Sequence, residues 1–278
     1  MQAPTAWTAP GGTLGRLVEE ARRRAAALVP RRSELEQAAA HFAAPVRFGD
    51  SLRRRDVAVI AEVKRRSPSK GWINPRLSAA DQAAAYAAGG AAAISVLTEP
   101  DHFGGSVDDL VVVRNAIELP VLKKDFHVDP IQLLEAKAIG ASAALLIVRA
   151  LPQDRLTELV RVAGDLRLEV LLEVRDAEEL QRAVDAAGTN SAVTSIGVNN
   201  RNLETLVIDA GRAEELIASI PVRFVAIAES GVSARADVER VAVARADAVL
   251  VGSAVSAAAD PCAAVRGLTN VMRHPRGL

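Results

Sequence analysis

The sequence predicts an α/β fold: a single (β/α)8 TIM barrel with an N-terminal helical extension. Three observations point there. Short apolar runs recur roughly every 20–30 residues after Val57, and most intervals between them have helical spacing. Strands alternating with helices build right-handed βαβ units and a parallel sheet. Polar residues gather where the strands end, which in a barrel is the functional rim. The competitor is an open doubly wound sheet, and its G-x-G-x-x-G fingerprint after the first strand is absent.

Taken in order, residues 1–12 are rich in Pro, Gly and Thr and read as a frayed end. From Thr13 the run LGRLVEEARRRAAAL repeats apolar positions at helical spacing until Pro30 stops it. A second helix, Ser33 to Phe42, opens with the capping-box pattern Ser33-Glu34-Leu35-Glu36. Residues 1–50 are therefore expected as an extension packing on a catalytic barrel of residues 51–278. Plain packing and a lid over one barrel end fit this segment equally. The strands are expected at Val57–Val63, Ala92–Leu97, Val121–Lys124, Ala143–Val148, Glu169–Val174, Ser195–Asn199, Arg223–Ala228 and Ala248–Val251. Helical stretches are expected at Ala79–Ala88, Pro130–Ile139, Pro152–Leu166, Ala177–Ala187 and Ala234–Ala244.

Bulk properties exclude several classes. The 278 residues are 50% hydrophobic, ample for a large core without staples. Lys+Arg and Asp+Glu both number 34, and this zero net charge argues against a general nucleic-acid binder. No apolar run reaches membrane-spanning length, and the first residues lack a signal-peptide pattern. A single cysteine, Cys262, permits neither an intramolecular disulfide nor a multi-cysteine metal cage, and suits a reducing cytoplasm.

The rim carries the chemistry. Glu62 and Lys64, two residues apart, share the strand face of Ala58 and Ile60. A carboxylate and an ammonium there are costly to desolvate unless paired or used. The third strand ends Lys123-Lys124-Asp125, the fifth with Glu173 among apolar neighbours, and the sixth Asn199-Asn200-Arg201. The seventh ends Glu229-Ser230-Gly231 and the eighth Gly252-Ser253. Each residue alone could be structural; six polar strand ends on one rim point to catalysis. Gly231 and Gly252, each ahead of a helical stretch and beside Ser230 and Ser253, suit a phosphate grip. Lys124 can donate a proton or form a Schiff base, and Glu173 can act as general acid or base. His41, His102, His127 and His274 show no metal-ligand spacing, and His127 reads as a satisfied loop histidine. Trp72 and Phe103 each read as a pocket wall or as ordinary packing.

Seven segments carry a resemblance: IAEVKRRSPSKG, ISVLTEPDHFGGS, VLKKDFHVDPIQLLEAKAIGASAALLIV, LLEV, IGVNNRNLETL, AESGV and LVGSA. In this order they resemble indole-3-glycerol phosphate synthase, over roughly residues 35 to 265. The combination of E-x-K-x-x-S-P-S with L-K-K-D-F and N-N-R is specific to that family among phosphate-binding barrels. The resemblance implies closure of 1-(2-carboxyphenylamino)-1-deoxyribulose 5-phosphate to an indole ring, with loss of carbon dioxide and water. It implies Lys124 as the acid, with Asp125 orienting its segment, and Glu173 as the accompanying base. Glu62 and Lys64 would bind substrate and assist dehydration; which carboxylate removes the last proton stays open. Asn199 and Ser230 would hold Glu62 or substrate hydroxyls. Ser67, Phe103, Arg201 and Glu229 would line the anthranilate and sugar sides, and Gly231, Gly252 and Ser253 would grip the phosphate. No cofactor and no metal is implied, and association with other tryptophan-pathway enzymes is left open. Two departures stand out: Asn202 replaces an Asp common in the family, and Ala186–Thr194 is a longer, more polar turn into the sixth strand. The rivals are a phosphosugar isomerase on the same scaffold, which would not need Glu62 and Lys64 with Lys124, and a non-catalytic barrel, which would be expected to lose the acid or the base.

Overall fold

The computed structural model describes residues 7–42, 46–68, 71–199 and 210–276. Eight parallel strands close into a barrel: β1 (Ala58–Val63), β2 (Ala93–Leu97), β3 (Val121–Lys124), β4 (Ala143–Ile147), β5 (Glu169–Val174), β6 (Val193–Asn199), β7 (Val225–Glu229) and β8 (Ala248–Val251). The ring completes where β1 pairs with β8, Ala58 opposite Ala248 and Ala61 opposite Val251. All eight expected strands form, with ends within two residues of those read from the sequence. Strands buried on both faces are apolar almost throughout, so their runs are easy to see.

The longer helices are α1 (Gly12–Leu28), α2 (Arg32–His41), α3 (Ala79–Ala88), α4 (Val107–Ala116), α5 (Pro130–Ala138), α6 (Gln153–Asp165), α7 (Ala177–Ala187), α8 (Ala210–Ser219), α9 (Arg235–Val243) and α10 (Pro261–Arg266). Rim loops feed them through side-chain caps: Ser78, Ser106, Asp129, Asp176 and Asp260 each accept a first-turn N–H. Three of these helices, α4, α8 and the short α10, fall outside the expected stretches. In α4 the run Val111-Val112-Val113 is β-branched and biases the pattern toward strand; its helix is fixed by the Ser106 cap and by burial of Leu110 and Val113. In α8, Ala213, Leu216 and Ile217 form a buried helical stripe that the sequence reading passed over.

The capping box expected at Ser33 does not form. The 3-10 turn Val29–Arg31 runs straight into α2, so Arg31 stands at the cap and holds Glu34 at 2.7 and 3.1 Å. Helix α1 buries Leu14, Leu17, Val18, Ala21 and Ala25, one face of an amphipathic helix. Leu35 and Ala39 of α2 pack on Ile131, Leu134 and Ala138 of α5.

Opposite the rim, charges brace the barrel floor. Glu169 accepts from Arg47 Nε at 2.8 Å and Gly49 N–H at 2.7 Å. Asp247 accepts from Ala226 N–H at 2.8 Å and pairs with Arg273 and Arg276. The polar turn before β6 does shift register: Val170 faces Val193 but Leu171 faces Ser195, leaving Thr194 as a bulge. The slip ends there, and Asn199 lies opposite Glu229.

Candidate active site

Alternation along each strand turns Glu62, Lys124, Glu173, Asn199 and Glu229 into one cavity of about 320 Å³ at the carboxyl ends of the strands. Lys64, Ser67, Phe103, Ser230, Gly231, Gly252 and Ser253 line the same cavity. Every expected site residue within the described residues therefore converges on one space; Arg201, like Asn202, lies outside them. Lys123 points the other way and ion-pairs with Glu135 of α5 at 2.7 Å. The residue that can meet a ligand is thus Lys124.

Lys124 Nζ lies 2.5 Å from Glu229 Oε2 and 3.2 Å from Glu173 Oε2. Burial alone would lower its pKa, but Glu229, Glu173 and Glu62 outweigh that and raise it, so the ammonium keeps its proton. Glu229 pays the opposite cost. Burial pushes its carboxyl up to about 7; Lys124 pulls it down and Glu173 pushes it up. Its Oε1 has no hydrogen-bond partner among the described residues. A Cβ on Gly197 would sit 2.1 Å from that oxygen, so glycine in β6 is what lets the carboxylate fold inward.

Glu173, 4% exposed, is steadied on its far oxygen by Asn199 Nδ2 at 3.0 Å, and Asn199 Oδ1 accepts from Ser230 Oγ at 2.9 Å. Ser230 and Gly231 both have left-handed backbones, φ +63° and +78°, which turn the chain sharply after β7. The carboxylate that Asn199 steadies is Glu173. Glu62 is held by Lys64 Nζ at 3.3 Å and Ser95 Oγ at 3.5 Å. A Cβ on Gly252 would meet Glu62 Oε1 at 2.4 Å, so this glycine also makes room for a carboxylate. The amides of Val255 and Ser256 bond back to Gly252, while the first amides of such a turn lack partners inside it.

Phe103 stands 5.6 Å from Lys64 Nζ and 6.3 Å from the Phe126 ring, forming an aromatic wall. Trp72 is 58% exposed and lies outside the cavity, stacked with Arg66. His127 is buried behind the rim. Its Nδ1 contacts Leu145 O at 2.7 Å, but Nε2 has no partner among the described residues, so the expected satisfied histidine is only half so.

Sequence reasoning missed Arg24. From α1 it donates to Asp125 Oδ1 at 2.8 Å and lies 3.6 Å from Glu99, whose carboxylate caps the turn carrying Phe103. Asp125 also takes Thr98 Oγ1 at 2.6 Å. An arginine in an Arg-rich helix carries no local signal of such a contact. Pro100, by contrast, is a sequence signal for a helix start, which places Glu99 at the cap position.

The indole-3-glycerol phosphate synthase family model matches residues 14–268, nearly the whole of this architecture. The chain belongs to that family. The indole-3-glycerol phosphate synthase of Kineococcus radiotolerans is 50% identical over 222 residues, covering 80% of this chain and 79% of that protein. Indole-3-glycerol phosphate synthase 1 of Streptomyces coelicolor is 47% identical over 243 residues, covering 87% and 88%. A mutant tryptophan synthase alpha-subunit from Pyrococcus furiosus superposes with a TM-score of 0.59 over 77% of this chain and 98% of its own, at 18% identity. That likeness concerns the barrel alone.

Proposed function

We propose that this chain, an indole-3-glycerol phosphate synthase, performs its ring closure with Lys124 as acid and Glu173 as its carboxylate partner. The substrate is the phosphorylated 1-(2-carboxyphenylamino)-1-deoxyribulose. The observation that carries the reading is the Lys124 ammonium held between two buried carboxylates over one cavity. As the aromatic carbon bonds to the ribulose carbonyl carbon, Lys124 protonates the developing alkoxide. Carbon dioxide then leaves, and the electron pair of the broken C–C bond stays behind and restores the aromatic ring. The hydroxyl then departs as water, assisted by Lys64 and Glu62, and a carboxylate takes the final proton. Asn199 and Ser230 position Glu173; Phe103 flanks the aromatic ring; Ser67 and Glu229 face the substrate. Gly231, Gly252 and Ser253 receive the phosphate through backbone N–H groups and a hydroxyl.

Incubation with the carboxyphenylamino substrate should generate indole fluorescence. Lys124→Ala should lower turnover about 10²- to 10⁴-fold, as loss of a positioned proton donor does, with an unchanged circular dichroism spectrum. Turnover like that of the unmodified protein would overturn the assignment.

A further inference from the structure

On the barrel floor, opposite the catalytic rim, a second polar cavity of about 270 Å³ opens between residues 47–53, the turn from α7 into β6 and the start of β7. Arg47, Arg53 and Arg223 line it, and their guanidinium groups are anchored. Arg47 Nε is on Glu169 at 2.8 Å, Arg53 Nη2 donates to Arg223 O at 2.7 Å, and the Arg223 guanidinium lies 4.5 Å over the Phe224 ring. Arg53 and Arg223 have no carboxylate within ion-pair distance among the described residues; the one acidic residue in the lining, Asp50, lies 3.9 Å from Arg47. The long polar turn before β6 adds Thr189 and Ser191, whose hydroxyls make no hydrogen bond to a described residue. Two cationic forks without a carboxylate partner, facing hydroxyls that bond to no described residue, suit a ligand with several oxygen acceptors.

We propose that this floor pocket binds a small oxyanion carrying two or more negative charges, gripped by Arg53 and Arg223 with Thr189 and Ser191 donating. The site is separate from the substrate cavity: β6 runs between them, a length of roughly 20 Å at the rise of a strand. It also gives the polar turn a role that the ring closure does not use.

Calorimetric titration of the full chain with inorganic pyrophosphate, and separately with citrate, tests this. Ser253→Asp places a negative charge at the rim and removes phosphate binding there. Saturable pyrophosphate binding should survive Ser253→Asp and weaken about tenfold or more in Arg223→Ser and in the double variant Arg53→Ser/Arg223→Ser. The Arg223 side chain makes no hydrogen bond or ion pair to a described residue, so Arg223→Ser should keep its melting temperature and its turnover. Pyrophosphate without citrate marks a phosphate-type ligand, and citrate as well marks polycarboxylates. Binding that disappears with Ser253→Asp, that is unaltered by Arg223→Ser, or that never saturates would overturn the proposal.

Discussion

At the scale of single residues, the rim is a problem in charge placement. Two ammonium groups, Lys64 and Lys124, share a cavity with Glu62, Glu173 and Glu229. Coulomb attraction in that setting is strong, yet each carboxylate also loses solvation. Lys124 resolves the conflict by staying charged, and Glu229 absorbs it by titrating near 7. Below about 7 the Glu229 carboxyl carries its proton, and Lys124 loses the nearer of its two anions. The kcat/KM profile should therefore show an acid limb with a midpoint near 7. In Glu229→Gln that limb should vanish, because the amide does not titrate; a profile with the same limb would assign it to another group.

At the scale of elements, α1 is more than a packed appendage. Arg24 ties it to Asp125, the residue after Lys124, and to Glu99 beneath Phe103. A shift of 1 Å in a catalytic group can cost about 100-fold in rate. Arg24→Ala should thus lower kcat about 10- to 100-fold more than it disturbs folding, and Arg24→Lys should restore part of it; thermal melts alongside initial rates separate the two. A different element carries a pure stability effect. Glu179 in α7 is 5% exposed, and burial, then Asp176, raises its carboxyl to about 7 despite Arg175. A raised carboxyl favours the folded state below its unfolded value of 4.5, and this contribution is lost as pH rises through 7. Glu179→Gln should then stabilise the protein at pH 8, by at most about 3 kcal/mol, and give no gain at pH 4. Urea melts at both values measure it.

Over the whole molecule, the two ends of the barrel divide the labour. Rim charges face the substrate cavity, whereas the floor carboxylates Glu169 and Asp247 hold the barrel closed. Asp247 binds the β7 backbone and two arginines of the C-terminal segment, tying that segment under the barrel. Asp247→Ala strands buried Arg276 and should cost about 3–5 kcal/mol, while the folded fraction keeps its kcat. Equal loss of both would mean that floor and rim are not separable.

The strands, most helices and the rim residues could be read from the chain because each has a local cause. A strand buried on both faces must be apolar, and a charge at its end breaks the run visibly at Glu62, Lys124, Glu173 and Glu229. Identity of a motif also travels with its sequence, as LKKDF and NNR do here. Partners do not, because they are set by which side chains the closed barrel brings across tens of residues. That Asn199 steadies Glu173, that Arg24 reaches Asp125, and that Gly197 and Gly252 exist to admit carboxylates was decided only by the tertiary structure. Each depends on a distance through space that no spacing along the chain encodes.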